Sequence, residues 1–424
     1  MEKKYENTLS FALETDKNDP LKHFRNQFLF PQHNDKPTIY LCGNSLGLQP
    51  INARTAMEEE FQQWETKGVE GWFQGKRPWL PYHEYLTPTL AEVVGANPEE
   101  ITVMNTLTVN LHFMMVSFYR PTTKRFKIIM EGGAFPSDQY AVETQVKFHG
   151  FDPQEAIIEI EPREGEHLLR TEDILSVIEE NGSETALVLF GGINYYTGQF
   201  YDLAAIANAG HQSGALVGYD LAHAAGNVPL QLHDWGVDFA VWCSYKYMNA
   251  GPGGPGGVFV HERHANNPDL PRFAGWWGYE EKKRFLMKKG FVPNRGAAGW
   301  QISTATVFNF AIHRAGLEYF AKAGMTALRK KSIKLTGYLE FLINDLNRKG
   351  KQFQIITPVD PTARGCQLSI LTGTNGKELF DYLAAHGVIC DWREPNVIRV
   401  APVPLYNSFE DVFLFVKLLV TYPS

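Results

Sequence analysis

The sequence predicts an α/β fold: a mostly parallel mixed sheet with helices on both faces, joined to a smaller α+β domain at the C-terminus. Three observations carry this. Between residues 100 and 260, short β-rich runs alternate with helix-like segments, the pattern of βαβ units. The runs are apolar throughout rather than alternating, as strands are when helices cover both faces of their sheet. After Gly316 the spacing becomes helical, and a new set of strands follows.

In chain order, the runs ITVMN (101), FKIIM (126), AIIEIE (156), ALVLF (186), ALVGYD (215), DFAVWCS (238) and GGVFV (256) are expected as strands of the larger unit. One long helix is expected over LEYFAKAGMTALRKKSIKLTGYLEFLINDLNRKG, stopping at Gly350. Beyond it, QFQIITP, GCQLSIL, GVICDW and NVIRVAP read as strands, and KELFDYLAAHG and FEDVFLFVKLLV as helices. The expected division is an N-terminal segment (1–40) packing on the small domain, a large cofactor-binding domain (41–316) and a small C-terminal domain (317–424). No internal repeat, low-complexity tract or Pro-rich linker separates them.

Composition narrows the function. Forty basic against 47 acidic residues give a net charge of -7, so no positive excess is offered to nucleic acid or an anionic membrane. The N-terminal stretch has no continuous apolar run, and no apolar stretch approaches the ~20 residues that cross a bilayer. A cytoplasmic enzyme is the expected class. Cysteines 42, 243, 366 and 390 form no CxxC pair and are too sparse for a disulfide framework, so they are expected reduced and mostly buried.

The chemistry is concentrated at strand ends, where open α/β sheets bind ligands. Asp220 closes ALVGYD, and Lys246 follows DFAVWCS within Ser-Tyr-Lys-Tyr. A carboxylate beside a heterocyclic nitrogen and a lysine able to form an imine are what pyridoxal phosphate asks of a protein. Most lysines are solvated surface charges, but the apolar run before Lys246 and the glycines after it place this amine in a structured site. Asp220 could equally cap a helix, and His223 could be a core histidine. The loop Gly251-Pro-Gly-Gly-Pro-Gly-Gly257 lacks both the GK[ST] of a P-loop and the GxGxxG register, so it reads as a tight turn that lets backbone pass something bulky.

Two further junctions supply candidates. Asn105-Thr-Leu-Thr-Val-Asn110 links a strand to a buried helix, placing Leu107 and Thr108 where free N–H groups and the helix dipole attract an anion. Glu131-Gly-Gly-Ala-Phe-Pro-Ser-Asp138 places Phe135 and a carboxylate on the same edge, the ring able to stack on a flat cofactor. His261-Glu-Arg-His264 has metal-like spacing without an evident third ligand, and no metal is assigned.

Taken together, Asp220-Leu-Ala-His223, Leu232-His-Asp-Trp-Gly-Val-Asp238, Trp242-Cys-Ser-Tyr-Lys-Tyr247 and Ala134-Phe-Pro-Ser-Asp138 resemble the kynureninase family. These are pyridoxal phosphate enzymes of fold type I, in the class-V aminotransferase-like superfamily. The resemblance runs from Leu41-Cys-Gly-Asn-Ser-Leu-Gly-Leu-Gln-Pro50 through Gly75-Lys-Arg-Pro-Trp79 to Ile398-Arg-Val-Ala-Pro-Val-Pro-Leu-Tyr406. It implies pyridoxal 5'-phosphate held covalently as a Schiff base on Lys246, with Asp220 on the pyridine nitrogen and Phe135 stacked on the ring. Leu107, Thr108 and Tyr245 would bind the phosphate, with Trp276 and Thr304 reaching it from elsewhere, including from the second subunit of a homodimer. Pro136, Ser137, Asp138 and His223 would complete the pocket. Arg399 would grip the substrate α-carboxylate, with Asn44 and Ser45 nearby.

Two positions depart from the family pattern: Gly191 stands where a hydroxyl residue is usual, and Trp72 where histidine is common beside the aryl ring. The implied reaction is hydrolytic Cβ–Cγ cleavage of L-kynurenine to anthranilate and L-alanine, and of 3-hydroxykynurenine to 3-hydroxyanthranilate. Such a step serves tryptophan catabolism through the kynurenine pathway and NAD biosynthesis. Lys246 would act as general base, Asp220 would keep the ring nitrogen protonated, and Tyr245 would move protons in the later steps. Another fold-type-I enzyme, an aminotransferase or a cysteine desulfurase, and a non-catalytic cofactor-binding regulator are the alternatives.

Overall fold

The computed structural model describes residues 5–265, 267–373 and 375–422. The seven expected runs form seven strands of one sheet: β1 (Ile101–Met104), β2 (Lys127–Glu131), β3 (Ile157–Ile160), β4 (Thr185–Gly191), β5 (Leu216–Asp220), β6 (Phe239–Cys243) and β7 (Gly256–Val260). Their order across the sheet is β1-β7-β6-β5-β4-β2-β3. β7 is antiparallel to both its neighbours, and the remaining pairs are parallel, so six strands point the same way.

The absence of alternation in the runs has a direct cause. Ile129, Val188, Val217, Tyr219, Ala240 and Phe259 pack into a core on one face, while Ile128, Leu187, Leu189, Phe239, Val241 and Val258 pack into a core on the other. Side chains alternate between faces, but both faces are dry, so no strand needs polar residues. Six strands pointing one way also bring the ends of β1, β2, β4, β5 and β6 to a single edge. Helix α1 (Leu107–Phe118) starts there after β1, and helix α2 (Pro136–Phe148) after β2.

The expected single helix is two helices, α3 (Val307–Ala323) and α4 (Met325–Arg348). Gly324 divides them at φ +72°, a left-handed backbone that only glycine adopts without strain. Helix α3 therefore runs straight across Gly316. The C-terminal strands β8 (Gln354–Ile355), β9 (Leu368–Leu371), β10 (Asp391–Arg393) and β11 (Val397–Val400) form an antiparallel sheet in the order β8-β9-β11-β10. The run GVICDW does not make one strand. Val388–Ile389 pairs in parallel with Ile39–Tyr40 near the N-terminus, and the chain then switches sheets into β10.

A third core, distinct from the two flanking the large sheet, holds this part together. Leu335, Tyr338 and Leu339 of α4 and Val412 and Phe415 of α5 (Phe409–Thr421) meet Phe11 and Ala12 there, from the N-terminal helix Leu9–Lys17. All four cysteines are free, and Cys243, Cys366 and Cys390 are buried. Among the described residues, no helix is long and apolar enough to cross a membrane.

Close packing of β7 on β6 yields a test. A Cβ at Gly257 would lie 2.1 Å from Trp242 Cε2, and Trp242 is fully buried. Gly257→Ala is expected to cost about 1–3 kcal/mol through overpacking. Equilibrium denaturation should show a lower midpoint, and an unchanged midpoint would mean that β7 yields freely.

Candidate active site

At the shared edge, the strand ends and helix starts enclose a cavity of about 250 Å³. Leu107, Thr108, Phe135, Ser137, Asp138, Gly191, Asp220, His223, Tyr245 and Lys246 all line it. Each arrives at the end of a buried strand, in the segment that follows it, or in the first turn of the next helix.

Asp220 is 6% exposed, and its Oδ1 accepts the Ala222 N–H at 2.7 Å. Burial raises its pKa, while the Ala222 N–H, the Lys246 ammonium and a hydrogen bond from Asp138 pull the other way. Asp138 is pushed up more strongly, by burial and then by the charge of Asp220, so it carries the proton of the pair. Lys246 Nζ lies 2.9 Å from His223 Nε2 and 5.9 Å from the centre of the Phe135 ring. Burial, then the charges of Lys246, Arg399 and Arg393, drive the His223 pKa well down and keep its ring neutral, so Nε2 accepts from the ammonium and the ring proton sits on Nδ1. That buried Nδ1 has no partner among the described residues.

Opposite Asp220, two helix N-termini converge. Thr106 precedes α1 in extended conformation without a side-chain cap bond, leaving the first N–H groups of the helix available. Thr108 Oγ1 and Ser137 Oγ, from the first turns of α1 and α2, stand 2.7 Å apart. Gly256 makes room for this corner, since a Cβ there would lie 2.7 Å from Asn110 Nδ2 and 3.3 Å from the Leu107 nitrogen. The glycine loop thus acts as the close backbone passage its sequence suggests. Tyr245 is half-buried at the same cavity, its phenol pushed above the ordinary range by burial and by Cys243 and Asp220.

The expected carboxylate grip lies beside the cavity rather than in its wall. Arg399, on β11, is 1% exposed; its Nη1 donates to the Tyr195 carbonyl at 2.7 Å, and its Nη2 meets Asp391 and stands 3.4 Å from Ser45 Oγ. Ser45 donates to Asp391 at 2.5 Å, and Asn44 donates to Gln367 at 3.2 Å. Tyr195 connects the two groups, because its ring lines the cavity and meets Phe135 edge-on at 5.2 Å.

Besides Arg399, Asn44 and Ser45, four further expected residues are not in the cavity wall. Pro136 is exposed as the first residue of α2, where its missing N–H costs nothing. Trp72 packs on Trp79 and Trp277, each ring centre 5.6 Å away. Trp276 is 46% exposed and donates to the Arg284 carbonyl at 3.3 Å, and Thr304 is exposed. Three residues that line or brace the site escaped the sequence reading: Glu131, Tyr195 and Asp391. Glu131 carried the same signal as Asp220, a carboxylate closing an apolar run. Tyr195 and Asp391 carried none that spacing could reveal. His261 and His264 diverge: His264 meets Asp238, whereas His261 approaches Glu100 and His233. The lone pairs of that second group already accept the N–H groups of Asn97, Glu262 and Arg263.

Comparison with known proteins gives this geometry a lineage. A kynureninase from Myxococcus xanthus is 57% identical over 417 residues, covering 98% of this chain and 97% of its own. A kynureninase from Flavobacterium psychrophilum is 55% identical over 416 residues, covering 98% of each. The chain belongs to the kynureninase family. The family model for the kynureninase C-terminal domain matches residues 328–419, which hold α4, α5 and the small sheet. A kynureninase from the animal Nematostella vectensis is 50% identical, covering 96% of this chain and 92% of its own. Among solved structures, a cysteine desulfurase from Escherichia coli superposes with TM-score 0.75 at 17% identity, covering 94% of this chain and 97% of its own. A C-DES mutant with glycine covalently linked to its PLP cofactor gives TM-score 0.73 at 18% identity, covering 90% and 96%. At such identities the likeness establishes the fold, fold type I, and leaves the reaction to the site.

Asp391 offers a test of the Arg399 cluster. Asp391→Asn removes the charge that compensates a fully buried guanidinium, so a loss of about 3–5 kcal/mol in stability is expected by denaturation. No loss would mean that the Tyr195 carbonyl and Ser45 suffice to hold Arg399.

Proposed function

We propose that this chain is a pyridoxal 5'-phosphate-dependent kynureninase, a hydrolase that converts L-kynurenine and water to anthranilate and L-alanine as a cytoplasmic homodimer. One observation carries the reading: in a chain 50–57% identical to kynureninases, Lys246, Asp220, Phe135 and two helix N-termini face one cavity. The residues fit the cofactor. The N–H groups opening α1 with the Thr108 and Ser137 hydroxyls suit a phosphate, Asp220 suits a protonated ring nitrogen, and the unpartnered His223 Nδ1 can donate to a polar group on the ring. In this reading residues 41–316 bind the cofactor, and residues 317–424, braced by residues 1–40, carry Arg399.

When bound, the cofactor supplies an electron sink for charge that develops on substrate carbons. The chain supplies everything else. Lys246 is the residue that would hold the cofactor, and its Nζ, free once substrate is bound, would take the α-proton. His223 Nε2, at 2.9 Å, keeps Nζ in place while remaining neutral itself. Asp220 stays ionised because Asp138 holds the shared proton, so the ring nitrogen faces a fixed negative charge. Phe135 packs against the ring, and Arg399 exchanges part of its pairing with Asp391 for the substrate carboxylate. Tyr245, its phenol protonated throughout the neutral range, would give a proton to the β-carbon freed when the Cβ–Cγ bond breaks and recover one from the water whose oxygen joins the γ-carbonyl carbon.

The cysteines weigh against a desulfurase. Burial raises all four thiols, Cys42 to about 11 and Cys366 to about 12, so none offers a thiolate nucleophile at neutral pH. Trp276 and Thr304, outside their own chain's cavity, are assigned to the cavity of the second subunit.

Three measurements test these roles. Lys246→Ala should abolish borohydride-trappable cofactor and lower anthranilate formation by at least the ~10²-fold that acid–base catalysis supplies. Retention of either would overturn the assignment. Arg399→Ala should raise KM for kynurenine at least tenfold, a loss of about 1.4 kcal/mol in carboxylate recognition, with a smaller effect on kcat. An unchanged KM would remove that role. Lys246→Ala and Trp276→Ala subunits, each impaired alone, should regain partial activity when unfolded and refolded together, since one mixed site is intact. No recovery would confine Trp276 to its own chain.

A further inference from the structure

Glu131 ends β2 at the same edge where Gly191 ends β4 and Asp220 ends β5, and β4 lies between the other two. Gly191 and Asp220 are direct partners in the β4–β5 register. The Glu131 carboxyl reaches sideways over the glycine. Its oxygens stand 3.1 and 2.9 Å from the Gly191 nitrogen, and a Cβ at position 191 would lie 2.6 Å from Oε1. The carboxyl thus fills the space that a side chain at 191 would occupy. It is 4% exposed, it lines the cavity with Asp220 and Lys246, and no step of the mechanism uses it.

We propose that Glu131 is a cofactor-site residue of this chain: from β2 it supplies the polar contact that a hydroxyl at position 191 would otherwise give, and its proton sets the charge beside Asp220. The inference rests on reading the cavity as the pyridoxal phosphate site. Three carboxyl groups, of Glu131, Asp138 and Asp220, meet the single ammonium of Lys246 at this edge, so the cavity cannot hold all three ionised without a large electrostatic cost. Asp138 shares its proton with Asp220. Backbone N–H groups, of Gly191 and of Glu131 itself, stabilise the Glu131 anion, but burial, with the charge of Asp220 added, pushes its pKa up to about 7 against them. It therefore gains or loses its proton where the enzyme works, and each change alters the field at the ring.

The folded protein binds this proton more tightly than the unfolded chain does. Glu131 therefore favours the fold at pH below its unfolded value of 4.5, and that contribution is lost as pH rises through about 7.

Two readouts test the role. In the native holoenzyme, the visible absorbance of the bound cofactor should show a step centred at about pH 7, absent from Glu131→Gln. In the apoprotein, the fall in melting temperature across the same range should flatten in Glu131→Gln. Pyridoxal phosphate should bind Glu131→Ala apoprotein about tenfold more weakly, and Gly191→Ser on that background should recover most of the loss, as expected for one buried polar contact. Equal absorbance profiles for native protein and Glu131→Gln overturn the inference, whether or not the alanine variant folds. So does unchanged cofactor affinity in Glu131→Ala. A native protein that binds no cofactor overturns the reading of the cavity itself, and the inference with it.

Discussion

The site depends on one electrostatic constraint: an ammonium and several carboxyl groups must share a small cavity largely screened from water. Removing a charge from water is costly unless a partner or a hydrogen bond replaces the lost solvation. The sheet meets this by bringing the groups in from three strand ends and the helix that follows one of them. Lys246 follows β6, Asp220 ends β5 and Glu131 ends β2, while Asp138 sits in the first turn of α2. The aligned backbone then supplies what water would have supplied: the Ala222 N–H for Asp220 and the Gly191 N–H for Glu131. If one of these strands ran the other way, its functional group would lie at the far edge of the sheet. Only β7 is reversed, and it contributes a glycine rather than a charge.

That constraint explains why so much of the site was legible in the sequence. A strand buried on both faces is an unbroken apolar run, so its last residue stands out when it is charged. Asp220 was recognisable for that reason, and Glu131 would have been had the same rule been applied to FKIIME. The corner proposed for the phosphate stands out in the sequence because α1 begins directly after β1. What sequence could not show was side-chain reach across neighbouring strands, by which Glu131 occupies the space above Gly191. Nor could spacing show that Tyr195 and Asp391 converge on Arg399, whose nearness to Ser45 only the family resemblance implied. The two errors of element assignment have local causes. Gly324 interrupts a pattern that is helical on both sides, and GVICDW is apolar enough for one strand but changes partners at Cys390.

Arg399 shows how the small sheet can influence the cavity without lining it. Its guanidinium is buried, paired with Asp391, and tied to the main chain of Tyr195, whose ring stands against Phe135. A shift of β11 would move Tyr195 through a single hydrogen bond, and the aromatic contact would pass that shift to Phe135. The Asp391 carboxylate is also a close chemical likeness of the carboxylate that Arg399 is proposed to bind. A resident anion keeps the guanidinium compensated while no substrate is present. It also means that an incoming carboxylate competes for part of an existing ion pair instead of meeting a bare cation, so affinity is exchanged for a pre-set orientation.

The resemblance to cysteine desulfurases at 17–18% identity shows how little the fold decides. The sheet and its covering helices are common to both, so any difference in reaction must come from the groups placed around the sheet's edge. A desulfurase needs an exposed thiolate able to reach the substrate. Here Cys243 lies in the sheet, Cys366 and Cys390 are buried in separate cores, and Cys42 is partly buried, every thiol held protonated by its surroundings. The polar groups left facing the cavity are oxygen and nitrogen acids and bases: Tyr245, His223, Lys246 and the three carboxyls. Such a set moves protons to and from carbon and water but offers no sulfur nucleophile. Cleavage of a carbon–carbon bond by water needs proton transfer and an electron sink, and this cavity is built to serve both.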